Sequence, residues 1–272
     1  VIVLEPYYEN YGPDAILAGA SPVFVPLDWP NWTLDGDRLK KAFNKKTKAI
    51  ILNSPNNPSG AIYPESLVSA LVDFCERKNI YLIMDDIYNK LVFDGKKAAI
   101  AYRFTTKDIE SSKVIVINGI SKLYGMTGFR IGWTIGPKQI VSVMTNVQAQ
   151  TASCTSVLLQ AAAEGALTGL QSAVDTLRLT LENNRNVMVQ ELRAFSNVHL
   201  TPPDGTYYCL PDFSAYSKSS EALCQLLLDK ALVVTVPGKE FGMEGHLRLS
   251  FAGTVKDVTE GIARMKWALD PT

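Results

Sequence analysis

Several things are scarce in this sequence, and each scarcity excludes a class of function. Only two histidines, His199 and His246, occur in 272 residues. They are too few and too far apart for a metal centre, so no metal site is expected. The four cysteines, Cys75, Cys154, Cys209 and Cys224, form no C-x-x-C pair, which removes the zinc-ribbon and dithiol redox motifs. Reduced thiols in a cytoplasmic protein are the expectation. Neither sign of charge dominates, with Lys+Arg and Asp+Glu at 27 each, so nothing in the balance points to nucleic acid or an anionic membrane as partner. The longest apolar runs, such as Val1–Leu4 and Ala231–Pro237, fall far short of the roughly 20 residues that span a bilayer. The opening VIVLEPYYEN has no initiator Met and no basic stretch before an apolar one, so it is not a signal peptide. It reads as a strand entered in mid-domain, and a missing N-terminal portion is expected. There is no internal repeat and no low-complexity segment.

What remains is an ordinary globular composition, 47% hydrophobic, sufficient for one large core or one large and one small. The first two-thirds alternates strand-like and helix-like segments. Val1–Leu4, Pro22–Pro26, Ala49–Leu52, Ile80–Met84, Val114–Ile117 and Ile131–Ile135 read as strands, several of them continuous apolar runs of the kind found in buried parallel sheets. Asp14–Gly19 reads as a short helix closed by glycine, and Asp35 as the cap of a helix through Phe43. Pro64 suits a first helical turn, Leu67, Val68, Leu71, Val72 and Cys75 recur at helical spacing, and Asn79 marks the stop. Strand, helix and strand make a βαβ unit, which predicts parallel strands and a right-handed crossover. Gln139 to about Ala194 is helix-rich. The tail mixes short strands (Tyr207–Leu210, Leu232–Val236, Leu247–Phe251) with helices (Ser220–Lys230, Val255–Ala268). The predicted organisation is a large α/β domain over 1–163, an interdomain helix over 164–195 and a smaller α+β domain over 196–272.

Ligands of an open α/β sheet bind outside the carboxyl ends of its strands, so polar residues just past strand ends are the candidates. Three segments qualify: Asn53-Ser-Pro-Asn-Asn-Pro-Ser-Gly60, Asp85-Asp-Ile-Tyr88 and Asn118-Gly-Ile-Ser-Lys122. Singly, each reads as something plainer: a turn-rich loop, a capping or surface acid, a solvated lysine. At the ends of one parallel sheet they make a site. In Gly119–Gly132 the glycines lack the G-x-G-x-x-G spacing of a dinucleotide loop. That segment instead sets Lys122 and Arg130 eight residues apart, an amine nucleophile beside a guanidinium that suits a phosphorylated aldehyde.

At this point the segments resemble a known family. GISKLYGMTGFRIG is similar to the lysine-attachment signature of class I/II aminotransferases, pyridoxal-phosphate (PLP) enzymes of fold type I. NSPNNPSG resembles their N-x-P-x-N-P-[TS]-G loop, MDDIYNKL their D-E-I-Y segment, EPYY their P-x-aromatic segment and HLRLSFA their substrate-carboxylate arginine segment, all in the family's order. The resemblance implies a mostly parallel sheet flanked by helices, a homodimer, and transamination between an amino acid and a 2-oxo acid by a ping-pong route, with aspartate or an aromatic amino acid as donor. It gives Lys122 the Schiff base with PLP and Asp85 the pairing with the pyridine nitrogen. Tyr88 and Asn57 fall to the ring's 3-oxygen, and Asn57 borders the substrate as well. Tyr8 falls to the ring face, with Tyr7 as its competitor. Arg130 and Ser121 fall to the phosphate, and Arg248 to a bidentate grip on the substrate carboxylate. Asp204–Tyr208 is expected to border the substrate through Tyr207. Asp86 is expected to be a structural neighbour of the site.

Two departures stand out. Gly119 occupies a position where many relatives carry a phosphate-binding serine. The family's N-terminal portion, which supplies a helix N-terminus for the phosphate and a tyrosine for the neighbouring subunit's site, is absent. Two further readings stay open: a carbon–sulfur lyase on the same scaffold, which would release pyruvate and ammonia without an acceptor, and the aminotransferase-like domain of a transcriptional regulator, which would carry a DNA-binding domain upstream.

Overall fold

The expected alternation of strands and helices appears in a computed structural model that describes residues 1–270. The chain begins with β1 (Ile2–Glu5), α1 (Tyr11–Leu17), β2 (Val23–Pro26), α2 (Gly36–Ala42), β3 (Ala49–Asn53), α3 (Glu65–Lys78), β4 (Tyr81–Asp85), β5 (Val114–Gly119) and β6 (Gly132–Ile135). Helices α4 (Lys138–Thr151), α5 (Val157–Thr168) and α6 (Ser172–Leu192) follow. The remainder comprises β7 (Tyr208–Cys209), α7 (Ser220–Ala231), β8 (Val236–Pro237), β9 (Leu247–Ser250) and α8 (Val255–Leu269). The large sheet has the order β2-β1-β3-β4-β5-β6. Five strands run parallel, and β6 pairs antiparallel with β5. The reversal has a simple cause: only turns and a short 3₁₀ segment at Thr127–Phe129 connect β5 to β6, and a parallel return needs a longer crossover.

The βαβ unit forms as its pattern predicts. α3 starts directly after Pro64, buries Val68, Leu71, Val72 and Cys75, and ends at Asn79, which takes the left-handed conformation at φ 56°. The side chain of Asp35 caps α2 by accepting from the Asp37 N–H at 2.8 Å, satisfying one of the otherwise unpaired first-turn donors. Other expectations shift. α1 begins at Tyr11, ahead of Asp14. Leu232–Val236 is not a strand, because Leu232 adopts a left-handed conformation as the C-cap of α7 and only Val236–Pro237 pairs. The segment 164–195 is not one helix: α5 and α6 meet at Gly169–Gln171.

Two apolar cores result. One packs β1, β3 and β4 against α3 through Ile2, Ile50, Leu52, Leu71 and Leu82. The second unites α6, α7, α8 and β9 through Met188, Leu227, Leu247, Phe251 and Ile262, and also takes in Tyr88, Leu91, Phe93 and Leu123. The stretch after β4 therefore belongs to the second core while its strand belongs to the first. No helix among the described residues is long and apolar enough to cross a membrane.

Gly60 locks the two parts together. Its carbonyl accepts from the Asp204 and Gly205 N–H groups, both at 2.9 Å, and it sits at φ +71°, where a Cβ would collide with Pro203 and lie 2.7 Å from the Tyr208 carbonyl. Left-handed strain and steric overlap act together at this residue. Gly60→Ala is expected to destabilise the protein by about 2–4 kcal/mol, read from the denaturant midpoint at an unchanged slope.

Candidate active site

Strand register builds the floor of the site. Asn53 of β3 pairs with Asp85 of β4, and Asp85 with Ile117 of β5, so three adjacent strands end at one level. All three residues line a cavity of about 370 Å³. Tyr8 and Glu9, from the turn after β1, form one side. Asn57, Ile87, Tyr88, Ser121, Lys122, Arg130, Tyr208 and Arg248 complete the wall. Every sequence-predicted site residue except Tyr207 is among them.

Asp85 lies at the end of β4 on the cavity floor. The Tyr11 hydroxyl donates to its Oδ2 at 2.6 Å, and the Ile87 N–H donates to Oδ1 at 3.2 Å. Burial raises its carboxyl above the ordinary range, while these two donors and the Lys122 ammonium pull the other way. Burial prevails, so the ionised acid is only partly compensated. Asp86 points elsewhere and lies outside the cavity. It accepts from Asn89 Nδ2 at 2.9 Å, and burial pushes it up to about 7.

Lys122 is presented by its neighbours in sequence. Ile120 and Leu123 are fully or almost fully buried, which turns Ser121 and Lys122 toward the cavity. Gly119 has a reason of its own: a Cβ there would lie 2.7 Å from the Ile131 carbonyl and 3.1 Å from Gly132 Cα. The close approach of β5 and β6 leaves no room for a serine at this position. Arg130 sits exposed at φ 52° and donates from Nη1 to the Thr127 carbonyl at 3.0 Å.

The loop Asn53–Gly60 is a buried hydrogen-bond frame. Asn53 Oδ1 accepts from the Asn57 N–H at 2.7 Å, and Asn53 Nδ2 donates to the Asp85 carbonyl at 3.1 Å. Asn56 Nδ2 donates to the Pro6 carbonyl at 3.1 Å, tying this loop to the turn that carries Tyr8. The two aromatic candidates for stacking now separate. Tyr7 stacks on Phe24 at 4.7 Å, away from the cavity, whereas Tyr8 lines it and meets Tyr11 edge-on at 5.6 Å. Burial, Glu9 and Tyr208 raise the Tyr8 phenol.

On the opposite wall, Arg248 of β9 donates from Nη1 to Asn57 Oδ1 at 3.0 Å and meets Glu9 Oε2 at 3.4 Å. Its guanidinium lies over the rings of Tyr208 and Phe241, at 4.6 and 4.8 Å. Tyr207, expected at the substrate, packs edge-on against Tyr88 at 5.6 Å, with the Lys122 Nζ 6.0 Å from its ring. Its neighbour Tyr208 is the one in the wall, and the two rings pack on each other at 4.5 Å. Burial and the adjacent phenols raise Tyr88 strongly and Tyr208 to about 12, so both stay protonated as donors. Sequence reasoning missed Glu9, Tyr11 and Ile117, and it gave Asn53, Ile87 and Tyr208 no individual role although they fall in its candidate segments. Asn53 and Ile117 could have been found by aligning strand ends; Tyr11 and Glu9 left no signal beyond closeness to Tyr8.

These residues fit pyridoxal phosphate. A buried acid short of cationic compensation suits a protonated pyridine. An exposed guanidinium at the rim suits a phosphate, and the amine between them is placed to meet an aldehyde. Comparison with known proteins agrees. Residues 1–265 match the family described as aminotransferase class I and II. The chain is 34% identical to a probable aspartate/prephenate aminotransferase of Aquifex aeolicus, across 99% of this chain and 70% of that one. It is 33% identical to aromatic-amino-acid aminotransferase 2 of Thermococcus litoralis, across 99% and 69%. Its structure superposes on an aspartate aminotransferase from Thermus thermophilus with maleate at a TM-score of 0.91 and 32% identity, covering 98% of this chain and 69% of that one.

The Tyr11–Asp85 bond generates a test. A hydrogen bond to a charged group contributes about 1.5–3 kcal/mol. Tyr11→Phe should therefore raise the Asp85 carboxyl further and weaken retention of pyridoxal phosphate by roughly tenfold, measured by titrating the apoprotein with the cofactor.

Proposed function

Because the chain belongs to the class I and II aminotransferase family, whose members are pyridoxal-phosphate-dependent transaminases, we propose that it moves the amino group of an aspartate or aromatic donor to a 2-oxo acid in two half-reactions at the cavity around Lys122. The observation that carries this reading is the convergence of Lys122, Asp85, Arg130 and Arg248 on one wall-to-wall space.

Bound pyridoxal phosphate supplies an electron-withdrawing ring that stabilises the negative charge left when a substrate Cα–H bond is broken. The protein's own groups do the rest. Asp85 holds the ring nitrogen's proton. Arg130 and Ser121 fix the phosphate end. Tyr8 covers one ring face. Asn57 spends its Oδ1 on Arg248, so its amide N–H donors are left to serve the ring oxygen beside Tyr88. Arg248 grips the donor's α-carboxylate, and the aromatic faces on either side of it keep the fork oriented. Lys122 Nζ would hold the cofactor until the donor's amino group takes its place, and the freed amine would then take the proton from Cα and return it on the cofactor side.

The same reading makes the enzyme a cytoplasmic homodimer. Val143, Met144 and Val147 on α4, with Val157 and Leu158 on α5, are exposed, apolar side chains that a second copy would cover. The four cysteines are unpaired thiols, as in reducing compartments. Light scattering that gives a monomer, or cell fractionation that places the protein elsewhere, would remove these two points.

Acid–base groups commonly contribute ~10²–10⁴-fold to rate. Lys122→Ala should lose at least that much transamination of an aspartate or phenylalanine donor with 2-oxoglutarate as acceptor; near-normal turnover refutes the assignment.

A further inference from the structure

Glu9 is the second acid in the cavity wall, and the chemistry above gives it no task. It lies 3.4 Å from Arg248 Nη1, the same nitrogen that donates to Asn57. The two partners differ in freedom. The Arg248 side chain is 13% exposed and the Glu9 side chain 31%, and Arg248 is further pinned between the rings of Tyr208 and Phe241. When a substrate carboxylate arrives, the guanidinium stays and the Glu9 carboxylate yields. It cannot go far, because its backbone adjoins Tyr8 in the same wall.

A donor bound at Arg248 therefore sits within a few ångströms of a resident negative charge. A neutral amino acid brings one carboxylate and one ammonium, and its ammonium offsets the repulsion. A dicarboxylic amino acid brings a further negative charge. The other cations of the wall, Lys122 and Arg130, are committed to the cofactor. We infer that Glu9 is a specificity-determining residue: it holds Arg248 in the free site and tilts donor choice away from dicarboxylic amino acids toward neutral ones, aromatic donors among them. This rests on the reading of Arg248 as the carboxylate clamp. Two like charges about 6 Å apart near a protein surface repel enough to change affinity by roughly tenfold after allowance for solvent and salt.

The test is equilibrium binding of two unreactive acids to the holoenzyme by calorimetry: maleate, with two carboxylates, and 3-phenylpropionate, with one carboxylate and an aromatic ring. Glu9→Gln should tighten maleate about tenfold and 3-phenylpropionate about threefold or less. Glu9→Asp, which keeps the charge, should preserve the wild-type preference. Arg248→Gln should weaken both acids at least tenfold. If Arg248→Gln weakens both while Glu9→Gln leaves the ratio of the two dissociation constants unchanged, the inference about Glu9 is overturned and the clamp stands. If Arg248→Gln changes neither, the clamp reading fails and takes the inference with it.

Discussion

The buried carboxylate of Asp85 is the constraint on which the site depends. An acid at the end of a central parallel strand, deep beneath the surface, is costly to ionise unless positive charge or donors face it. The protein provides donors from Tyr11 and the Ile87 N–H and one distant helper in Lys122, and burial still outweighs them. The fold has therefore built a place that a cationic ring completes. That arrangement ties cofactor choice to the architecture: the same strand that forms the core of the sheet delivers the acid, and the neighbouring strands, held in register, deliver Asn53 below one edge and Ile117 beside the other.

The second element is the Asn53–Gly60 loop, which serves as a brace more than as a binding loop. Its buried amides tie the end of β3 to the carbonyl of Asp85 and to Pro6. Its last residue receives two N–H groups from the C-terminal part of the chain. Two of its side chains, Asn53 and Asn57, line the cavity, and Asn57 does so while accepting from Arg248. Cofactor wall and substrate clamp are thus positioned by one continuous set of hydrogen bonds.

The substrate side is built from aromatic surfaces. Tyr88 packs edge-on against the adjoining rings of Tyr207 and Tyr208, and the rings of Tyr208 and Phe241 both face Arg248. A planar guanidinium between two ring faces loses little of its fork geometry to thermal motion. Against this fixed cation the more exposed Glu9 is the adjustable partner.

Much of this was legible in the residues alone. Helical spacing from Leu67 to Cys75 with Pro64 and Asn79 as punctuation determined α3 and hence the parallel β3–α3–β4 unit, because local propensity, patterning and capping all agree there. The segments Asn53–Gly60, Asp85–Tyr88 and Asn118–Lys122 could be assigned to strand ends, since polar residues follow apolar runs in each. Tertiary structure decided the rest. β6 runs antiparallel because its connection is short. Leu232 leaves the extended state to close a helix. Tyr208 reaches the wall while Tyr207 packs behind it on Tyr88, a division that only the packing of the three rings decides. Gly119 is required by the approach of β6, which no local pattern records. Tyr11 and Glu9 acquire partners 74 and 239 positions away in the chain, and contacts at such separations exist only once the sheet has set the distances between its strand ends.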